Sequence, residues 1–240
     1  MKNWYNIWFN SPYYHILYAN RDHQEAADFI DTISDYFHFK KDQKALDAGC
    51  GRGRHAIYFN KKGLDITGID LSPENIAYAK SMENSTLHFQ EHDIRKVLCS
   101  NYFDYVFNLF TSFGYFEHEE DNLNTIKAIK ADLNETGFGV IDFMNIDFVL
   151  EHLVLEELKI VDGITFFLRR YLQDGYLYKD INFSNNGEEY HFQERVKAFN
   201  LNDFESMFEQ AGVYLLDVFG DYKLNKFNPA TSERIVMIFK

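Results

Sequence analysis

Ala45-Leu46-Asp47-Ala48-Gly49-Cys50-Gly51-Arg52-Gly53-Arg54-His55-Ala56 decides the fold. An apolar strand runs into a carboxylate and then into three glycines spaced two apart. Glycines at 49, 51 and 53 let the backbone turn sharply and come close to a ligand, and the segment after them can open a helix whose N-terminal amides face that ligand. Gly51-x-Gly53-x-x-Ala56 satisfies the dinucleotide fingerprint, and Asp70 stands 19 residues past Gly51, where an acid for a ribose is expected. Asp47 separates the possible ligands. A carboxylate aimed at a pyrophosphate adds like-charge repulsion in a partly desolvated site, whereas a ligand carrying a cation removes it.

S-adenosylmethionine fits that requirement. It has an adenosine with two ribose hydroxyls, an α-ammonium, and a sulfonium where a dinucleotide has phosphate. The plainer alternative has Asp47 capping the turn and Asp70 capping the helix begun at Ser72-Pro73.

Around this segment the pattern alternates. Strands are expected at 44–48, 65–69, 87–90, 105–109 and 138–143, with helical stretches at 55–61, 73–82 and 121–133 between them, and one or two helices before the first strand. Such alternation builds βαβ units on a parallel sheet. From about residue 153 the rhythm changes to strands without helices, at 154–161, 164–172, 176–183 and 190–198. Asp162-Gly163, Asp174-Gly175 and Asn185-Asn186-Gly187 mark the reversals. An antiparallel meander inserted into an α/β core is the simplest account. The core resumes with a helix at 201–211 and strands at 213–219 and 234–239.

Composition bounds the partners. The 240 residues suit one domain with an embellishment, and the formal charge of −13 argues against nucleic acid. Two cysteines make no disulfide framework, which points to a reducing, cytoplasmic setting. No apolar run approaches the roughly 20 residues of a membrane span, and the first ten residues do not form a signal peptide. No Cys/His cluster has metal-ligand spacing, so no metal is expected.

The chain resembles the class I S-adenosylmethionine-dependent methyltransferases, and particularly a bacterial group with a β-rich insertion before the last two core strands. The residues carrying the likeness are 46–56, Gly68-Ile69-Asp70-Leu71-Ser72, His92-Asp93-Ile94-Arg95 and Phe107-Asn108-Leu109-Phe110-Thr111-Ser112-Phe113-Gly114-Tyr115. Leu17-Tyr18-Ala19-Asn20-Arg21-Asp22, Phe219-Gly220-Asp221-Tyr222 and Ser232-Glu233-Arg234 match more loosely. The resemblance implies a doubly wound, Rossmann-like seven-stranded α/β sheet with the last strand antiparallel between its neighbours. It also implies that residues 1–240 form one methyltransferase domain, with a helical cap over 1–40 and the insertion at 153–198 lying over the acceptor site.

In the same pattern Asp47 and the turn at Gly49, Gly51 and Gly53 hold the methionine part, and Asp70 accepts the ribose hydroxyls. Leu71 packs on adenine, Asp93 receives its amino group beside Ile94, and Asn108 lines the path to the sulfonium. Asp93 can alternatively cap the next helix, and Asn108 can serve only a turn. Tyr18 and Arg21 are candidates for the cofactor's carboxylate, which needs a cationic partner.

Methyl transfer from a sulfonium is an in-line displacement, so alignment of the acceptor dominates. A base matters only for a protonated acceptor. His118, Tyr115 and His191 are the candidate bases, and no motif names the acceptor. A small molecule is favoured by charge. Two other functions remain open: an NAD-dependent oxidoreductase, separable by which cofactor raises the melting temperature, and a non-catalytic S-adenosylmethionine-binding module, separable by an acceptor screen.

Overall fold

The computed structural model describes residues 4–19 and 23–240. Strand β1 (Lys44–Ala48) is buried at four of its five positions, and it lies inside a seven-stranded sheet of order β10-β11-β5-β4-β1-β2-β3. The other core strands are β2 (Asp65–Asp70), β3 (Leu87–Glu91), β4 (Phe103–Asn108), β5 (Leu133–Met144), β10 (Leu215–Phe219) and β11 (Arg234–Phe239). β1 to β5 pair in parallel, and β11 runs antiparallel between β10 and β5. The doubly wound architecture and its antiparallel last strand are therefore as the sequence indicates.

Alternation along the strands sends neighbouring residues to opposite layers. Leu46, Ile141 and Phe143 meet helices α6 (Glu119–Asp132) and α8 (Leu201–Ala211) through Ile126, Ile129, Phe204 and Phe208. Ala45, Ile66 and Phe107 face the other way. They meet α3 (His23–Phe37), α4 (Arg54–Lys61) and α5 (Pro73–Lys80) through Phe29, Ile33, Phe59 and Ile76. Burial on both faces explains why β11 reads as a continuous apolar run after Arg234.

The insertion is a four-stranded antiparallel sheet of order β6-β7-β8-β9: β6 (Glu156–Val161), β7 (Ile164–Gln173), β8 (Tyr176–Asn185) and β9 (Glu188–Lys197). Its two-residue turns hold Asp162, Asp174 and Asn186 at φ 49°, 51° and 54°, each followed by a glycine at positive φ. Asp and Asn tolerate this conformation, which matches the twist of the flanking strands. One face of the sheet packs on two short helices, α1 (Trp4–Trp8) and α2 (Pro12–Leu17). There Trp8 and Leu17 join Phe166, Leu168, Ile181 and Phe183 in a third apolar cluster.

Strand β5 begins five residues earlier than the sequence suggests. Asn134-Glu135-Thr136-Gly137 has the composition of a turn, yet Leu133 pairs with Phe103 across a register shift between Phe103 and Tyr105. The irregularity absorbs the polar segment into the strand.

Candidate active site

A cavity of about 460 Å³ opens at the carboxyl ends of β1, β2 and β4, where a doubly wound sheet places its ligands. The glycine turn, the segment after β2, the loop after β4 and the helices α1 and α2 enclose it. Gly49 and Cys50 donate their backbone N–H groups to the Ile69 carbonyl, each at 2.8 Å, which folds the turn back over β2. Gly49, Gly51 and Gly53 have φ of 85°, 55° and 84°. A Cβ at Gly53 would stand 2.6 Å from the Phe89 ring, so this glycine serves packing beneath the turn. A Cβ at Gly51 would meet nothing within 4 Å, so the turn faces open space there.

Asp70 lines the cavity. Its Oδ2 accepts from Gly51 N–H at 2.9 Å and its Oδ1 from Ser72 N–H at 2.8 Å, with the Asn75 side chain and Leu71 N–H also donating towards it. Burial pushes its carboxyl above the usual range, and the amide donors pull back against it. Leu71, Asp93 and Ile94 stand in the same wall. Burial raises the Asp93 carboxyl, but Arg95 outweighs it through a 2.7 Å ion pair and leaves it below the ordinary value.

Two residues assigned to the cofactor by sequence lie elsewhere. Asp47 is buried beneath the turn and accepts from Ala56 N–H at 3.1 Å. It is absent from the cavity wall, so it meets a ligand only through the turn. Burial lifts its carboxyl to about 7. Asn108 is also behind the wall, where its amide donates to the Ala48 carbonyl at 2.7 Å and the Ser112 carbonyl at 3.2 Å. It joins the ends of β1 and β4 instead of lining a path to the ligand. In strands buried on both faces, residue type does not reveal which side a polar group takes.

Tyr18 reaches the cavity, yet its hydroxyl donates to Glu194 of β9 at 2.6 Å and accepts from Lys179 of β8 at 2.6 Å. Arg21 lies outside the described residues. Among the candidate bases, Tyr115 is in the cavity wall with its hydroxyl donating to the Thr111 carbonyl. His118 precedes α6 and borders a neighbouring cavity of about 180 Å³, which shares Tyr5 and Phe116 with the larger one. His191 sits on β9, bonded to Asn182 across the pair at 2.7 Å, and lines neither cavity.

Among the described residues, no side chain of β6 to β9 borders the larger cavity. The larger cavity is closed by α1 and α2, which the insertion holds with its apolar face, while Arg195 of β9 borders the smaller cavity beside it. The two helices bring Tyr5, Phe9, Tyr14 and His15 into the wall, none of which stands in a cofactor motif. Burial, with Arg52 nearby, lowers His15 to about 4, against a hydrogen bond with Asn75 that raises it. This imidazole is neutral at physiological pH. Phe110 completes the far side, stacked on His55 at 4.6 Å and on Tyr222 at 5.0 Å.

Beneath Phe110 an ion pair joins the buried Asp142 to the half-buried Arg234. Arg234 bonds Asp142 at 2.8 Å and Thr111 Oγ1 at 3.0 Å, and Asp142 accepts from Phe110 N–H at 2.8 Å. Phe110 and Thr111 both have left-handed backbone, at φ 53° and 61°. The fixed carboxylate holds this uncommon turn in place.

The methyltransferase domain family matches residues 18–218. A glycine/sarcosine N-methyltransferase of Aphanothece halophytica is 30% identical over 138 residues, covering 55% of this chain and 50% of that protein. A ubiquinone biosynthesis O-methyltransferase of Haemophilus ducreyi is 30% identical over 108 residues, covering 43% and 46%. The chain thus spans about half the length of these curated relatives. The crystal structure of an S-adenosylmethionine-dependent methyltransferase from Clostridium acetobutylicum superposes with a TM-score of 0.78 at 21% identity, covering 95% of each chain. That likeness is one of fold.

Proposed function

The chain belongs to the family of S-adenosylmethionine-dependent methyltransferases, and on that premise we propose that it transfers a methyl group to a small-molecule acceptor by in-line displacement. The observation that carries this reading is the cavity in which the glycine turn, Asp70 and the Leu71, Asp93 and Ile94 group meet at the carboxyl ends of β1 and β2. These residues fit the cofactor: the open face of Gly51 leaves room for a ligand against the turn, and the Asp70 carboxyl borders the cavity as an acceptor for a ribose.

In this assignment Asp70 accepts the ribose hydroxyls, Leu71 packs on adenine, and Asp93 with Ile94 takes the adenine edge. Gly49 and Gly51 border the methionine part, supported from beneath by Asp47. Tyr18 and Arg21 are proposed near the carboxylate end, Tyr18 through its place in the wall and Arg21 from sequence alone. When bound, the cofactor supplies an electrophilic methyl on a sulfonium.

The chain's part is to hold the acceptor against that methyl and keep water out. Phe9, Tyr14, Tyr115 and Phe116 form an aromatic wall suited to both tasks. Tyr115 donates its hydroxyl to the Thr111 carbonyl, which fixes the ring in the wall beside the acceptor space. His118 is the candidate for a proton leaving the acceptor through the smaller cavity. A small acceptor is supported by the net charge of −13 and by the names of the two curated relatives, and a cytoplasmic setting by the two unpaired cysteines.

Titration calorimetry tests the cofactor assignment. Binding of S-adenosylmethionine and S-adenosylhomocysteine is expected in the micromolar range, about 7–8 kcal/mol. Silence with both, together with a response to NAD, overturns it. A metabolite screen for one added methyl tests transfer, and cofactor binding without any methylated product would favour a binding module.

A further inference from the structure

We infer that the chain associates with a second copy of itself through the free edge of β6. The insertion sheet has two edges, and they are treated differently. At β9, Lys197 N–H bonds the Gly114 carbonyl of the core at 2.8 Å, and Trp8 of α1 packs on Phe192 with ring centroids 4.6 Å apart. Among the described residues β6 pairs only with β7. On this open strand Leu158 is 70% and Ile160 73% exposed, and Phe167, the partner of Leu158 in the register, is 37% exposed. Val154, 57% exposed, lies just before the strand, beyond the exposed Glu156. Single exposed leucines are ordinary, but an apolar strip along an unpaired strand is a template for pairing with another chain.

The backbone phase points to one register. The two-residue turn at Asp162 and Gly163 makes Val161 and Ile164 its closing hydrogen-bonded pair. The amides and carbonyls of residues 161, 159 and 157 therefore point to β7, and Arg170 N–H to the Leu155 carbonyl at 2.8 Å continues the series. Those of residues 156, 158 and 160 point outward. Antiparallel pairing about a two-fold axis at Leu158 joins these outward groups. It places Leu158 opposite the partner's Leu158, and Glu157 opposite the partner's Lys159, with the same contact repeated by symmetry.

Moving the axis by one residue puts Glu157 against the partner's Glu157, or Lys159 against the partner's Lys159. Moving it by two separates Glu157 from Lys159 altogether. Glu157 already bonds Arg170 at 2.7 Å, so the favoured register extends that contact into a row of alternating charge. The sequence Glu157-Leu158-Lys159 is thus self-complementary on the one strand left open. A second copy answers it better than an unrelated strand.

Sedimentation equilibrium of the full chain tests this, using wild type, Lys159→Glu, Glu157→Lys and the double exchange. At about 50 μM, where a standard-sized interface of micromolar affinity is populated, wild type should be dimeric. Each single exchange should weaken association at least tenfold, because four like charges then face one another, and the double exchange, which gives up the bond between Glu157 and Arg170, should restore it in part. Melting curves of the single variants check that they remain folded. Monomeric wild type at this concentration overturns the inference, and so does a dimer that tolerates both single exchanges or is not restored even in part by the double one.

Discussion

Tyr18 and Glu194 lie 176 residues apart in the chain, yet the phenol donates to both carboxylate oxygens, at 2.6 and 2.8 Å. The same carboxylate accepts from the Trp8 indole at 2.6 Å, and Lys179 lies 3.8 Å away. One insertion residue therefore gathers α1, the end of α2 and β8 around the roof of the cavity. The roof and the insertion are joined by polar contacts as well as by the aromatic cluster.

Glu194→Ala should loosen that roof. It leaves the Trp8 indole, the Tyr18 hydroxyl and the Lys179 ammonium short of an acceptor, at an expected cost of about 1–3 kcal/mol in stability. Tyr18→Phe removes one donor to Glu194 and one acceptor of Lys179 but leaves the carboxylate for the ammonium, and should cost about 1 kcal/mol. Chemical denaturation followed by tryptophan fluorescence reads both. Equal stability of the Ala variant and wild type would show that the apolar cluster alone holds the roof.

Asp70→Asn should weaken S-adenosylhomocysteine binding by about 1.5–3 kcal/mol, because a charged acceptor for hydroxyl groups becomes neutral and loses one accepting oxygen. Either Gly51 or Ser72 N–H loses its acceptor to the amide NH2, so the fold should persist at a stability cost of about 1–3 kcal/mol. Calorimetry on the folded variant is the measurement. An unchanged dissociation constant would reduce Asp70 to a backbone brace for Gly51 and Ser72.

The glycine turn contains two positions with opposite expected responses. Gly53→Ala places a methyl 2.6 Å from the Phe89 ring in a left-handed conformation, and should destabilise the protein by about 2 kcal/mol or more. Gly51→Ala has left-handed strain of about 1–2 kcal/mol but no clash. Its methyl projects into open space at the turn, so it should reduce cofactor affinity out of proportion to the loss of stability. Thermal melts with and without S-adenosylhomocysteine separate the two. If both variants lose stability and affinity in the same ratio, the open face of Gly51 is not a ligand surface.

Much of the fold is legible because strand and helix burial writes itself into periodicity. β1, α8 and β11 have the bounds that their apolar patterns suggest, and the three Asp-Gly or Asn-Gly turns fall where a tolerated positive φ is needed. β5 is less legible, because a register shift let a turn-like segment pair. The site is readable where a motif and a strand end coincide, as at Asp70. It is unreadable where direction decides. Asp47 and Asn108 stand at strand ends yet point under the turn, and His15 and Tyr14 reach the wall only through packing on a sheet more than 140 residues away in sequence.

Asp47 gives the last prediction, through the pH dependence of stability. Burial raises its carboxyl to about 7 in the folded protein, while an unfolded Asp titrates near 4. Between these values the unfolded chain has released the proton and the folded one retains it, so the unfolded state binds fewer protons and stability falls as pH rises. The penalty is absent below about pH 4, grows to roughly 4 kcal/mol by about pH 7, and is constant above. Asp47→Asn keeps an oxygen for the Ala56 amide and has no proton to release. The ligand-free variant should therefore gain stability over wild type progressively across this window and remain ahead at pH 8. Urea denaturation of both proteins from pH 4 to pH 8 measures the difference. A difference that does not vary with pH would mean that Asp47 is ionised throughout, its charge already balanced beneath the turn.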